Sequence, residues 1–170
     1  MWLEQARSDS AAAAALSQTG RPEFHCQVVA KYQQVVEKAI KGLRRALADH
    51  GETSMPPALK HQVAPLLSAL LRLPAPDGSL LAKVRQGLSG LRSEVERLCA
   101  LAPRTDEQGE LTVRNTEYPY CRTDGEWKAP ASAGEFTEQH VSAAERTATA
   151  VLRCVQPVVT AATRAPRPLR

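Results

Sequence analysis

Residues 28–47 read VVAKYQQVVEKAIKGLRRAL, and their spacing decides the fold class. Val28, Tyr32, Val35, Val36, Ala39, Ile40, Leu43 and Leu47 recur at three- and four-residue intervals. That is the repeat of a helix with one apolar face. The pattern predicts a helix over about 22–50, closed by Gly51.

Working outward, the same repeat predicts further helices over about 2–18, 57–73, 79–102 and 137–159. Ala11–Ala15 have high helix propensity and let a neighbouring helix approach closely. Leu81, Val84, Leu88, Leu91, Val95 and Leu98 keep one seam along the fourth helix, and Gly87 and Gly90 within it point to a close helix contact, at a neighbour or a dimer interface. Thr137 is the expected N-cap of the last helix. Residues 103–134 lose periodicity, and a loop this long is functional or disordered. The expectation is an all-α, up-and-down antiparallel bundle of four to five helices with one long loop before the last. The bundle should occupy residues 1–163, with a basic, proline-broken tail over 164–170 expected to be disordered.

Composition agrees with helices. The 170 residues include only seven aromatics, and Ala and Leu fill the apolar quota, which argues against a sandwich or barrel. No run is long and apolar enough to span a membrane, and the N-terminus lacks a secretory pattern, so a cytoplasmic location is expected. Cys26, Cys99, Cys121 and Cys154 form no close pair. They read as reduced, partly buried thiols, neither a zinc site nor a disulfide framework. No phosphate-cradling glycine loop occurs.

The order of several short motifs resembles the HEPN family, the higher eukaryotes and prokaryotes nucleotide-binding helical domains. The motifs are Trp2-Leu3-Glu4-Gln5-Ala6-Arg7, then Gln33 to Leu43 with its Glu37-Lys38-Ala39-Ile40-Lys41 core. Lys60-His61-Gln62-Val63, Thr116-Glu117-Tyr118-Pro119 and Phe136-Thr137-Glu138 follow. Glu117 stands where the family pattern has an Arg. The resemblance covers about residues 2–159 and includes the family's sacsin-type modules. It implies a helical bundle that binds a nucleotide, with ATP or GTP as candidates and no other cofactor, and that forms a homodimer. Other partners it implies are RNA, a nucleotidyltransferase-like protein or a chaperone assembly. Structural roles fall on Trp2, Glu37, His61 and Pro119.

Two places could hold the ligand. At about 100° per residue, Lys31, Lys38, Lys41 and Arg45 share one face of the second helix, opposite the apolar stripe. Lysine and arginine bind phosphate oxygens by charge-assisted hydrogen bonds, and Lys38 and Lys41 are the foremost candidates. The other place is the loop, where Tyr118, Tyr120 and Trp127 are interleaved with Arg122 and Lys128. Rings stack on bases and cations hold phosphates, or the rings simply pin the loop to the bundle.

A ribonuclease toxin is the enzymatic alternative. Many HEPN toxins carry an Arg four to six residues before a His, and Arg45 and His50 match that spacing, but in the half of the domain opposite to the family's motif. In the later half, His140 has no Arg at that spacing. Arg45 and His50 also suit a helix C-terminus, where cations favour the dipole. Catalysis is therefore not the leading expectation.

Three of the four net positive charges of the chain come from Arg164, Arg167 and Arg170. The rest is nearly neutral, so any anion must be met by a local cluster of cations rather than by a general positive field.

Overall fold

A computed structural model describes residues 1–52, 63–104 and 109–164. It is an all-α bundle of six helices among the described residues, with one two-stranded hairpin. Lys60 and His61, the expected start of the third helix and residues 165–170 lie outside the described residues.

The second helix, α2 (His25–Asp49), is the hub, because 14 of its 25 residues are buried. The eight apolar positions that defined it are all buried. Each such Val or Leu removed from water stabilises the fold by about 1.5–3 kcal/mol. A 3-10 turn over Pro22–Phe24 takes up the first residues expected to be helical.

Helix α1 (Trp2–Ser17) lies along α2 and buries Ala6, Asp9 and Ala13. Small residues permit that approach. A Cβ built on Gly42 of α2 would stand 3.2 Å from the Cβ of Trp2. Helix α6 (Glu138–Arg164) covers another side of α2. It runs five residues beyond the expected end at Val159, because Ala162 still has apolar surface to bury.

The expected single helix over 79–102 is two helices, α4 (Leu80–Gly90) and α5 (Arg92–Ala100), separated at Leu91. Leu91 has φ −96° and ψ 0°, and its N–H bonds to Leu88, three residues back, which tightens the last turn of α4. Gly87 and Gly90 weaken that turn, so a change of direction there is inexpensive. It lets the two halves find different partners. Helix α4 packs on α6, whereas α5 packs on α3 (Val63–Arg72). The close contact expected at the glycines exists inside the molecule at Gly87, where an added Cβ would meet Cys154 Sγ at 2.7 Å.

Polar caps tie these elements together. The Glu52 carboxylate, just past α2, accepts from the N–H groups of Leu80 and Leu81 at 2.7 and 3.1 Å. Ser79 Oγ accepts from Ala82 N–H at 3.0 Å. The donors that α4 exposes at its start are thus met by two side chains.

The long loop is ordered by hydrogen bonds where it is described. Strands β1 (Tyr120–Cys121) and β2 (Trp127–Lys128) pair antiparallel, Tyr120 opposite Lys128 and Cys121 opposite Trp127. Asn115 Oδ1 accepts from the N–H groups of Glu117 and Tyr118, which sets the turn into Pro119. Of the three loop rings, only Tyr120 pins the loop: it is buried and donates to the Glu135 carboxylate. Tyr118 and Trp127 are 52% and 67% exposed. The four cysteines are free thiols. No described helix is long and apolar enough to cross a membrane.

Candidate functional site

The cations of α2 are already partnered. Lys31 lies 3.6 Å from the buried Asp9 carboxylate. Lys41 lies 2.6 Å from Glu37, Lys38 lies 3.7 Å from the same oxygen, and Arg45 lies 2.9 Å from Asp49. Glu37 is buried, so its carboxylate needs these lysines near it. The stripe is therefore a row of ion pairs, with little unspent charge for a phosphate.

The structure brings only some of the expected site residues together. Lys38 and Tyr118 line one cavity of about 310 Å³, where they are joined by Glu37 and Glu117. Among the described residues, two carboxylates and one lysine line it, a balance that does not favour an anion. Lys41 turns elsewhere, its ammonium 5.7 Å from the centre of the Trp2 ring. Tyr120 is committed to Glu135, and Arg122 stands 3.7 Å from Asp124 on the hairpin. Pro119 is exposed.

Arg45 and His50 line a separate cavity of about 740 Å³ with Trp2 and the end of α6. His50 donates from Nε2 to the Ala162 carbonyl at 2.9 Å, which ties the end of α2 to α6. Arg45 is held by Asp49 and the N-terminal ammonium by Glu4, which leaves Arg7 as the one excess cation among the described residues of its lining. This is the helix-end arrangement that suits both residues.

A third cavity, of about 710 Å³, is a groove between α5 and α6. Leu91, Leu98 and Leu101 form one wall, and Ala143 and Ala144 lie on the other. Small residues on α6 leave the space open. Three arginines line it: Arg97 from α5, Arg146 from α6 and Arg114 from the loop. Arg97 is loosely met by Glu94 at 3.4 Å. Arg146 has no ion pair among the described residues. Two cations more than carboxylates thus face an apolar floor, within the usual size range of small-molecule sites.

His140 stands where α6 begins. The Thr137 carbonyl accepts the first helical bond from Val141, so Thr137 is the N-cap, as its sequence position suggested. His140 lies three residues on and reaches back. Its Nδ1 accepts from the Thr137 N–H at 3.1 Å, and the Thr137 hydroxyl is 2.9 Å from the same nitrogen. The ring meets the N-cap N–H as the glutamate of a capping box does. On the other side, Nε2 lies 3.4 Å from Arg114 Nη2. Burial, and then the Arg114 charge, lower the pKa of His140 below its usual 6.5, which favours the neutral ring.

Arg114 is itself held rigidly. Its Nη1 donates to the Glu135 carbonyl at 3.1 Å, and its guanidinium lies 5.4 Å from the Phe136 ring centre. His25 donates from Nδ1 to the Phe136 carbonyl at 3.1 Å, so the segment before α6 is anchored to α2 as well.

The sequence carries no local sign of this groove: no Arg lies four to six residues before His140, and the Arg at its side, Arg114, comes from 26 residues upstream. Among the described residues, no His, Cys, Asp and Glu converge as a metal-ligand group.

No family model matches the chain, and neither a curated protein nor a solved structure does.

Proposed function

We propose that this chain is a HEPN-type helical domain that binds a nucleotide in the groove between α5 and α6. One observation carries the reading. Arg97, Arg114, Arg146 and His140 come from three separate segments and line one groove with an apolar floor. Arginine forks suit phosphate oxygens, and the leucine–alanine floor suits the flat face of a base. The motif order in the sequence supports the same ligand class. Lys38 and Lys41 then serve the fold through Glu37 rather than the phosphate.

Calorimetric titration with AMP, ATP and GTP tests this. Arg146→Ala and Arg97→Ala should each weaken binding by about tenfold, the worth of one charge-assisted hydrogen bond. Absence of heat with all three nucleotides, or full affinity in both variants, refutes it. The homodimer belongs to the same reading, and sedimentation over a range of concentrations addresses it: a strict monomer removes that part.

A second reading, metal-independent cleavage of RNA, is favoured by the Arg114–His140 contact alone. It predicts ribonuclease activity that persists in chelator and is lost in His140→Ala.

A further inference from the structure

The Thr137 N–H has a direction set by the backbone, and it points at Nδ1 of His140 from 3.1 Å. Nδ1 therefore keeps its lone pair, and a neutral ring carries its proton on Nε2. That Nε2–H faces Arg114 Nη2, which is also a donor, at 3.4 Å. Two donors so placed cannot satisfy each other. Both have room for a common acceptor on the groove side, since both residues line the cavity.

We infer that Arg114 and neutral His140 form a two-donor clamp for one oxygen of a phosphate group. The inference rests on the groove being the nucleotide site, and it deepens that reading by naming the atoms that recognise the phosphate. An oxygen between the two nitrogens would accept from Arg114 Nη2–H and from His140 Nε2–H together. The oxyanion turns a repulsive pair into a bridged one.

The loop that carries Arg114 is hydrogen-bonded to the end of α5, since Thr116 N–H donates to the Leu101 carbonyl at 3.0 Å. The clamp therefore closes the Leu101 end of the groove. Arg97 lies about one helical turn back from that end, at a rise of about 1.5 Å per residue. Arg146 lies further along α6 and leaves the middle for the rest of the ligand.

The charged groups that face His140 are Arg114 from the loop, Arg97 and Glu94 from α5, and Arg146 on α6. Glu135 is turned to Tyr120. None of these is a carboxylate in contact with the ring, so among the described residues no carboxylate favours the imidazolium. The clamp works with a neutral ring, and affinity for a phosphate should not depend on protonating it.

Two measurements on the full chain test the clamp. In the first, ¹⁵N-histidine NMR of the ligand-free protein should show His140 protonated at Nε2, and AMP should leave that proton in place. Protonation at Nδ1 in the free protein overturns the clamp whether or not AMP binds. In the second, AMP affinity is measured between pH 7 and 8.5. Wild type should hold its affinity across that range. A tenfold loss per pH unit would show that the imidazolium is required, and overturns the inference.

Variants separate donor from acceptor. His140→Asn keeps an acceptor near Nδ1 but has no donor at the Nε2 position, and should lose about tenfold in AMP affinity. His140→Gln places an amide N–H near the Nε2 position and should recover most of it. Equal affinity in wild type and His140→Asn overturns the clamp. If Arg146→Ala still weakens AMP binding in that case, the groove stands as the nucleotide site and only the clamp falls. If wild type binds ATP or GTP but not AMP, the groove stands and the clamp falls; if it binds none of the three, both fall.

Discussion

Gln33 Oε1 accepts a hydrogen bond from the Thr116 hydroxyl at 2.9 Å, across 83 residues of sequence. The other end of the same amide donates to the Leu98 carbonyl at 2.8 Å. Gln33 and Thr116 are both buried. One side chain of α2 thus holds both the end of α5 and the start of the loop that delivers Arg114 to the groove. Gln33→Leu would leave the Thr116 hydroxyl and the Leu98 carbonyl buried without these partners. It should cost about 2–3 kcal/mol in urea unfolding. An unchanged midpoint would contradict this account of the loop.

The two glycines of α4 should respond in opposite directions. Gly87→Ala puts a Cβ against Cys154 Sγ and should destabilise by about 1–3 kcal/mol. Gly90 has open space around its Cβ position, so Gly90→Ala should stabilise by up to about 1 kcal/mol. Adding Cys154→Ala to Gly87→Ala should recover part of the loss. Thermal melts of the three variants decide it, and equal effects of the two glycine changes would count against the assigned contact.

Glu52 ties the end of α2 to the start of α4. Truncation by Glu52→Ala removes the acceptor for Leu80 and Leu81 N–H and should cost about 1–2 kcal/mol. Glu52→Gln keeps one acceptor oxygen and should cost less. Hydrogen exchange at Leu80 and Leu81 should speed up in the alanine variant before the rest of α4 is affected.

Stability should fall as the medium is made acidic below the usual histidine value of 6.5, in part because of His140. Its folded-state pKa lies below 6.5, through burial and then the Arg114 charge, so the unfolded chain binds more protons in this window. The stability it contributes is present above 6.5 and is lost as pH drops through the folded value. Urea midpoints at pH 7.5, 6.5 and 5.5 should fall less steeply in His140→Asn than in wild type. Identical slopes would show that His140 does not titrate differently on folding.

Lys41→Ala separates structural from ligand-binding cations. Its ammonium lies closer to the buried Glu37 carboxylate than that of Lys38, so removing it should cost about 1–3 kcal/mol of stability. Because the groove is lined by other residues, AMP affinity should change by less than about twofold. A larger loss of affinity than in Arg146→Ala would return the site to α2.

The chain alone determined that the protein is helical, that 28–47 is a helix with one apolar face, and that Thr137 begins the last helix. Those features depend on neighbours three and four residues away, which a linear sequence displays directly. The amphipathic face of α2 was legible for the same reason, and so was its cationic stripe. Whether that stripe has charge to spare was not, because it depends on which carboxylate each lysine meets after folding. Glu37 is visible beside Lys38, but only burial makes the pair obligatory. The break at Leu91 was also hidden, since the apolar seam continues through it; the choice between one straight helix and two is made by the partners α6 and α3. The groove is the clearest case. Arg114 lies on a loop with no period to read, and His140 lies on another element. They meet because Thr116 is tied to Leu101 and Gln33, and because Phe136 is anchored to His25. Local periodicity is written in the chain, but convergence of charge depends on the path of the backbone in space, and only the tertiary structure supplies it.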